Sequence, residues 1–375
     1  MRIRCDRSDI VEKLGVIAGI VPTLSPKPIL FSFLFHTQRG CLFVEANDLE
    51  VAGRVQIERV DVLDEGTLAL PAAKVLSILR EIPDQASGVT VERAPEGHHA
   101  FLRAEGYDFK LLGNDPEEFP KMSGIQAHHS VEVPRKEFAH SLRRVAIATS
   151  RDATRYQLQG VFFEVKAAKL TLTATDGKRL TNDVLKIEDP REQTIDAIVP
   201  NRATDAILKM LPTAGEGTED RVTLGFTDTD IMVQAGSAQL NAKLIEGAYP
   251  NYRNALPQAA NIHVRLKRAD LLAAARGAQL MTDDQTSTVI FRFEKDFLTI
   301  SSQAKDVGET RIQIHAEVEN GPLEIRFNPS YFIDALRCID DEEVRVELQS
   351  TDRPGVLRGG AHYRHMVMPL VLDKS

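Results

Sequence analysis

Asp176-Gly177-Lys178 is the stretch of this sequence that most invites a chemical reading, because glycine beside lysine can cradle a phosphate. The full phosphate-loop pattern, GxxxxGK followed by Ser or Thr, is absent, and a tight turn is the better reading. Asp48 and Asp176 sit at matching places in a repeat described below. One carboxylate per repeat cannot hold the two metal ions of a phosphoryl-transfer site, so both read as turn formers that end strands. His98-His99, in the loop Ala94–His99, lack Cys or acidic partners at helical spacing and read as an exposed loop; so do His128-His129. Cys5, Cys41 and Cys338 are odd in number and far apart, which fits thiols in a reducing compartment, not a disulfide framework or zinc site. No nucleophile elbow or Cys-His signature occurs. The expectation is no catalysis, no metal and no cofactor.

What remains is charge. The 375 residues carry 46 Lys and Arg against 54 Asp and Glu, a net −8. An acidic chain is a poor binder of polyanions unless its cations are gathered on particular elements. With 43% hydrophobic and 27% charged residues, the chain is neither disordered nor membrane-embedded. No apolar run is long enough to span a bilayer, and Met1–Asp6 offers no signal-peptide stretch. A cytoplasmic protein is expected.

The elements that hold these cations recur three times. Pro71–Pro83 matches Pro200–Pro212, with Leu79-Arg80 falling on Leu208-Lys209 at an offset of 129; Asn328–Asp340 is the third copy, with Leu336-Arg337. Proline or Asn-Pro opens each, a good helix start, and prolines also close the first two. Upstream of each lies a second helical unit, beginning at Arg7, Arg135 and Arg268, with an acid (Asp9, Glu137, Asp270) two residues on. The strand segments Leu42–Asp48, Leu170–Asp176 and Leu298–Gln303 repeat as well, alternating apolar and polar residues as half-buried strands do. Further alternation begins at Val89, Val222 and Val344. This order, repeated three times, predicts an α+β chain of three domains of one fold, each with two helices packed on antiparallel sheets. The boundaries fall near His128 and Gln258, giving domains 1–127, 128–258 and 259–375. Pro120–Gly124 and Pro257–Ala260 serve as linkers.

Over the six helical stretches the charges are 0, +1, +3, +1, +3 and −1. They total +7, which leaves −15 for the rest of the chain. In 134–149, Phe138, Leu142 and Val145 form an apolar stripe, and Lys136, His140 and Arg143 or Arg144 lie away from it. Summed over repeated helices, this segregation describes a surface facing a polyanion. No helix-turn-helix, zinc finger or stacking motif is present, so the contact suits phosphates without base readout.

In this threefold setting, Asn47–Ala52, Leu70–Pro83, Ala174–Leu180, Val199-Pro200, Lys243–Pro257 and Met366–Leu370 resemble segments of the bacterial DNA polymerase III β sliding clamp, in order and over essentially the whole chain. The resemblance implies a DNA-clamp fold and a head-to-tail homodimer, a six-domain ring around double-stranded DNA that it holds without sequence specificity and without touching membrane. It implies pore contacts from Arg7, Lys13, Lys74, Arg80, Arg135, Lys136, Arg143, Arg144, Arg202, Lys209, Arg268 and Arg276, with Lys27 as a further candidate.

It also implies a hydrophobic cleft between the second and third domains that receives short linear peptides. These come from the DNA polymerase III catalytic subunit, the clamp loader, other polymerases and repair proteins. Leu158, Thr175, Gly177, Lys178, Arg179 and Leu180 would form its wall, Pro250 and Ala255 its floor, and Met366, Val367, Met368, Pro369 and Leu370 its closing edge. Two methionines suit a site that moulds around varied apolar anchors. Where the family often has a second arginine, this chain has Asn254, leaving Lys178 or Arg253 to supply the cation. A scaffold of clamp architecture that does not encircle DNA is the alternative; indifference to charge reversal on the helices would mark it. A hydrolase would need a saturable metal site.

Overall fold

A computed structural model describes residues 1–83, 88–122, 124–188, 194–213, 221–257, 259–282, 287–304 and 308–370. Ser123 and Gln258, in the two linker stretches, lie outside these. Six α-helices occur among the described residues: α1 Arg7–Ala18, α2 Ala72–Glu81, α3 Arg135–Ala146, α4 Asn201–Thr213, α5 Arg268–Gln279 and α6 Pro329–Cys338.

Local chemistry sets their ends. The Asp6 carboxylate accepts the Asp9 amide at 3.0 Å ahead of α1. Asn328 accepts the Ser330 amide at 3.0 Å, with Pro329 in the first turn of α6. Pro71 and Pro200 do not open their helices from inside. Each is the last residue of the preceding strand, Thr67–Pro71 or Ile195–Pro200, and the helix starts one residue later. Ile82, extended at ψ 127° as a residue before proline tends to be, stops α2 at Glu81. Pro212 closes nothing, for α4 runs on to Thr213.

The chain folds into two compact units. One is built chiefly from Met1–Ala139 and Val199–Ile245, the other chiefly from His140–Lys186 and Glu246 onward. These divide the chain differently from the sequence repeats because sheets run on across the repeat joints. In the first unit an eight-stranded sheet joins strands of the first repeat to strands of the second. Its seam is the antiparallel pairing of Val51–Ile57 with Ala238–Lys243, from Val55 opposite Ala238 to Val51 opposite Ala242. In the second unit a nine-stranded sheet joins second-repeat strands to third-repeat strands. There Arg179–Asn182 pairs with Val367–Arg364, Thr181 lying opposite His365. Smaller sheets of five and four strands complete the two units.

Helices cover these sheets. α1 packs on strand Val51–Ile57 and against α2 and α4, and α5 packs against α6. The stripe Phe138, Leu142 and Val145 of α3 is fully buried. Around α6 the core is aromatic, with Phe332 5.0 Å from Phe291 and 5.1 Å from Phe327 between ring centroids. No helix among the described residues is long and apolar enough to cross a membrane.

Candidate nucleic-acid interface and partner cleft

In the first and third repeats the recurring arginine at the start of the first helix reaches the end of the second helix. Arg7 donates to the carbonyls of Leu79 at 2.7 Å and Arg80 at 2.9 Å, at the end of α2. Arg268 donates to Leu336 at 3.1 Å and to Asp341 at 3.1 Å, at and beyond the end of α6. A helix C-terminus carries unpaired carbonyls and partial negative charge, and a guanidinium satisfies both. Arg135 holds the same position in the second repeat. Arg7 and Arg268 are therefore ties between paired helices, where the sequence alone had suggested only cations for DNA.

Arg144 departs further from its expected role. It is 15% exposed, reaches Asp183 (3% exposed) at 2.6 Å and lies 4.9 Å over the Tyr363 ring. The interior of the second unit, not the solvent, holds its charge. Arg143, one residue away and about 100° round the helix, is exposed. Arg202 pairs with Asp48 and donates to the Ile20 carbonyl at 2.9 Å. Lys13 reaches Ser237 Oγ at 2.9 Å, and the Lys209 ammonium packs over Gly19. Lys74, Arg80, Lys136 and Arg276 are exposed on their helices, as is Lys27 in its loop.

Both aspartates are turn formers. Asp48 Oδ1 accepts the amides of Glu50 at 3.0 Å and Val51 at 2.7 Å. Asp176 Oδ1 accepts those of Lys178 and Arg179, each at 2.9 Å. Gly177 takes φ +86°, which glycine adopts without strain, and a Cβ there would meet the Arg155 guanidinium at 2.3 Å. Among the described residues no cluster of three or more His, Cys, Asp or Glu is arranged to hold a metal.

Of the expected cleft residues, Arg179 and Leu180 pair with Val367 and Met366 at the seam of the nine-stranded sheet. Leu158, Leu180 and Met366 are buried at 9%, 2% and 4% exposure. Thr175 Oγ1 donates to the Arg179 carbonyl at 2.6 Å and accepts the Gly177 amide at 3.0 Å, bracing the turn. Val367 is completely buried in the core of the third repeat and is not part of a binding edge. As a strand residue next to Met366 it faces the opposite side of the sheet. Beyond that strand, Met368 is 40% exposed. The Met368 amide donates to the Lys178 carbonyl and the Leu370 amide to the Arg326 carbonyl, both at 2.9 Å. Pro369 and Leu370 are half-buried, and Pro250, Ala255, Gly177 and Lys178 are exposed.

The cations of the cleft are also sorted. Arg253 is held by both oxygens of Glu164, one at 2.6 Å, and lies 4.9 Å over the Tyr252 ring. The Glu164 bond pushes its pKa above the usual arginine value. Beside it Phe162 stacks on Tyr249 at 4.9 Å, pinning the loop that carries Pro250. Arg253 is thus committed to Glu164 although its side chain is 58% exposed, and Lys178 is exposed as well. Arg179 is committed as well, to Asp176 at 3.1 Å and Asp334 at 2.8 Å. Asp183, Glu164 and Asp334 were not singled out from the sequence. Comparison of the repeats carried a signal, for Asp183 and Asp334 stand where the other copies have Val55 and Ala206.

Three family models match the chain in succession: the N-terminal, central and C-terminal domains of the DNA polymerase III beta subunit, over residues 1–123, 132–251 and 253–371. The chain belongs to the DNA polymerase III beta subunit family. The beta sliding clamp of Chlamydia pneumoniae is 26% identical over 373 residues and 99% of both chains. That of Synechococcus elongatus is 28% identical over 385 residues, covering 99% of this chain and all of its own. The crystal structure of the Bacillus subtilis sliding clamp has the same fold, with a TM-score of 0.91 at 23% identity over 99% of each chain. A beta subunit is an accessory chain of the polymerase and not its catalytic one.

Proposed function

We propose that this sliding clamp works as a head-to-tail ring of two copies that encircles duplex DNA in the cytoplasm. It would tether the polymerase III catalytic subunit through a short peptide bound beside Leu158, Leu180, Met366 and Met368. The clamp loader, other polymerases and repair proteins would use the same groove. Domains at 1–127, 128–258 and 259–375 would supply six segments of wall. The reading rests on one observation above all: a helix pair recurs three times, in helical stretches totalling +7 within a chain of −8.

A ring needs little grip. Each added phosphate contact would steepen the salt dependence of binding and drag on sliding, so it is fitting that several helix cations are spent within the protein. Lys74, Arg80, Lys136, Arg143 and Arg276 are the exposed helix cations best suited to brush the backbone. Nothing in the sequence matches a phosphate loop, so ring opening is assigned to an ATP-driven loader.

The test is retention on nicked circular DNA after loading with a compatible loader and ATP, with loader ATP turnover as the control. Protein that survives high salt on the circle and departs once a restriction enzyme linearises it is topologically linked. Equal loss from circle and linear DNA while the loader turns over would refute encirclement and favour a scaffold.

A further inference from the structure

Arg179 stands in the strand that walls the groove, yet its charge is spent elsewhere. It is 12% exposed; Nε meets Asp176 Oδ2 at 3.1 Å, Nη1 meets Asp334 Oδ2 at 2.8 Å, and the guanidinium lies 4.7 Å over the Tyr331 ring. Arg179, Asp176 and Asp334 line a cavity of about 530 Å³ with Arg151 and the end of α3. No apolar groove residue borders that cavity. Asp176, in turn, takes the amides of Lys178 and Arg179 and so sets the turn Asp176–Lys178. A chain of polar contacts therefore runs from α6 of the third repeat through Arg179 to the turn that borders the groove.

The first repeat joint is bridged differently: Arg202 of α4 pairs with Asp48 directly, from a position where α6 has Ser330. Val51 stands where Arg179 does, Leu49 (φ +79°) where Gly177 does, and Ala206 of α4 where Asp334 does. Only at the joint where a peptide is placed does the bridge pass through the strand that carries Leu180, which points to a role in that binding. Resting on the groove reading above, we infer that Asp334 is a positioning residue for the partner peptide. It never touches the ligand; through Arg179 it fixes the turn and the start of the strand carrying Leu180, so that the groove wall is formed before the peptide arrives. Preformed walls spare the ligand the cost of ordering them.

The probe is a short fluorescein-labelled peptide carrying leucine and phenylalanine anchors, titrated by anisotropy into the full chain. Asp334→Asn is expected to weaken binding by about three- to tenfold, and Asp334→Glu to stay within about twofold of the unaltered chain. In an Arg179→Met background, Asp334→Asn should add no further loss. Without peptide, amide exchange over residues 177–180 should quicken in Asp334→Asn while the rest of the nine-stranded sheet exchanges as before. Unchanged affinity in Asp334→Asn, or the same loss with and without Arg179, overturns the inference and leaves the groove standing. Failure of the unaltered chain to bind the probe overturns both.

Discussion

The two repeat joints share a backbone design and differ in what fills it. At each, a strand of one repeat pairs antiparallel with a strand of the next, and an aspartate turn stands beside the seam. At the first joint, Val16 and Val55 are buried apolar residues; their counterparts at the second are Arg144 and Asp183, an ion pair under a tyrosine ring. Gly53, opposite Leu240, leaves room for Ile20 of the α1 end: a Cβ on Gly53 would lie 2.3 Å from Ile20 Cδ1. The corresponding pair across the second seam is Thr181 and His365, hydrogen-bonded at 2.7 Å, with the smaller Ala148 in the place of Ile20. Volume is conserved by exchange, and apolar contact gives way to polar links. One backbone pattern accepts either filling, and the polar one lies where the groove is proposed.

The sharpest way to break this comparison is to unpair the second joint. Asp183→Ala strands a nearly buried guanidinium and should cost about 3–5 kcal/mol, whereas Arg144→Met with Asp183→Leu, which imitates the first joint, should be near neutral or stabilising. Urea unfolding followed by tyrosine emission checks it, since five of the six tyrosines lie beyond residue 139 and none of the signal comes from tryptophan. A loss no larger than that of Val55→Ala would mean the ion pair is not buried in effect.

A smaller effect is expected at the first joint. Gly53→Ala should cost about 1–3 kcal/mol by overpacking. Combined with Ile20→Val it should cost less than the two single changes added together. Additive losses by circular dichroism in urea would deny that the two residues share one space.

The smallest effect is one of pH. Burial, and then the nearby Arg179 charge, push the His365 pKa down to about 3. The unfolded chain, with an ordinary histidine near 6.5, takes up the proton first. The stability tied to neutral His365 is therefore present above about pH 6.5 and drains away as pH falls towards 3. Between pH 7 and pH 6 its share is about 0.7 kcal/mol. His365→Gln should remove that share in paired urea curves, and an identical pH response in both proteins would contradict it. Leu240 gives the first joint no such response.

Most of the architecture was legible because repetition multiplies weak signals. Six helices and the alternating strands stand where three aligned copies place them. The joints were not legible, since strand pairing across a repeat boundary leaves no mark on spacing. Arg7 and Arg268 recurred in plain view, but a sequence cannot show that a helix end lies within reach of a guanidinium. Arg143 and Arg144 are neighbours in sequence and about 100° apart around α3; one faces solvent, the other faces Asp183. Val367 reads as part of an apolar tail until the strand register places it in the core. The usable clue, an acid at position 183 or 334 where another repeat has an aliphatic residue, appears only when copies are compared residue by residue.

The continuous sheets also decide how this molecule would carry a load. A pull directed along the paired strands at either seam must shear several backbone hydrogen bonds together, while peeling breaks them one after another. Either seam would therefore resist a pull along its strands far better than a pull that peels one strand from the next.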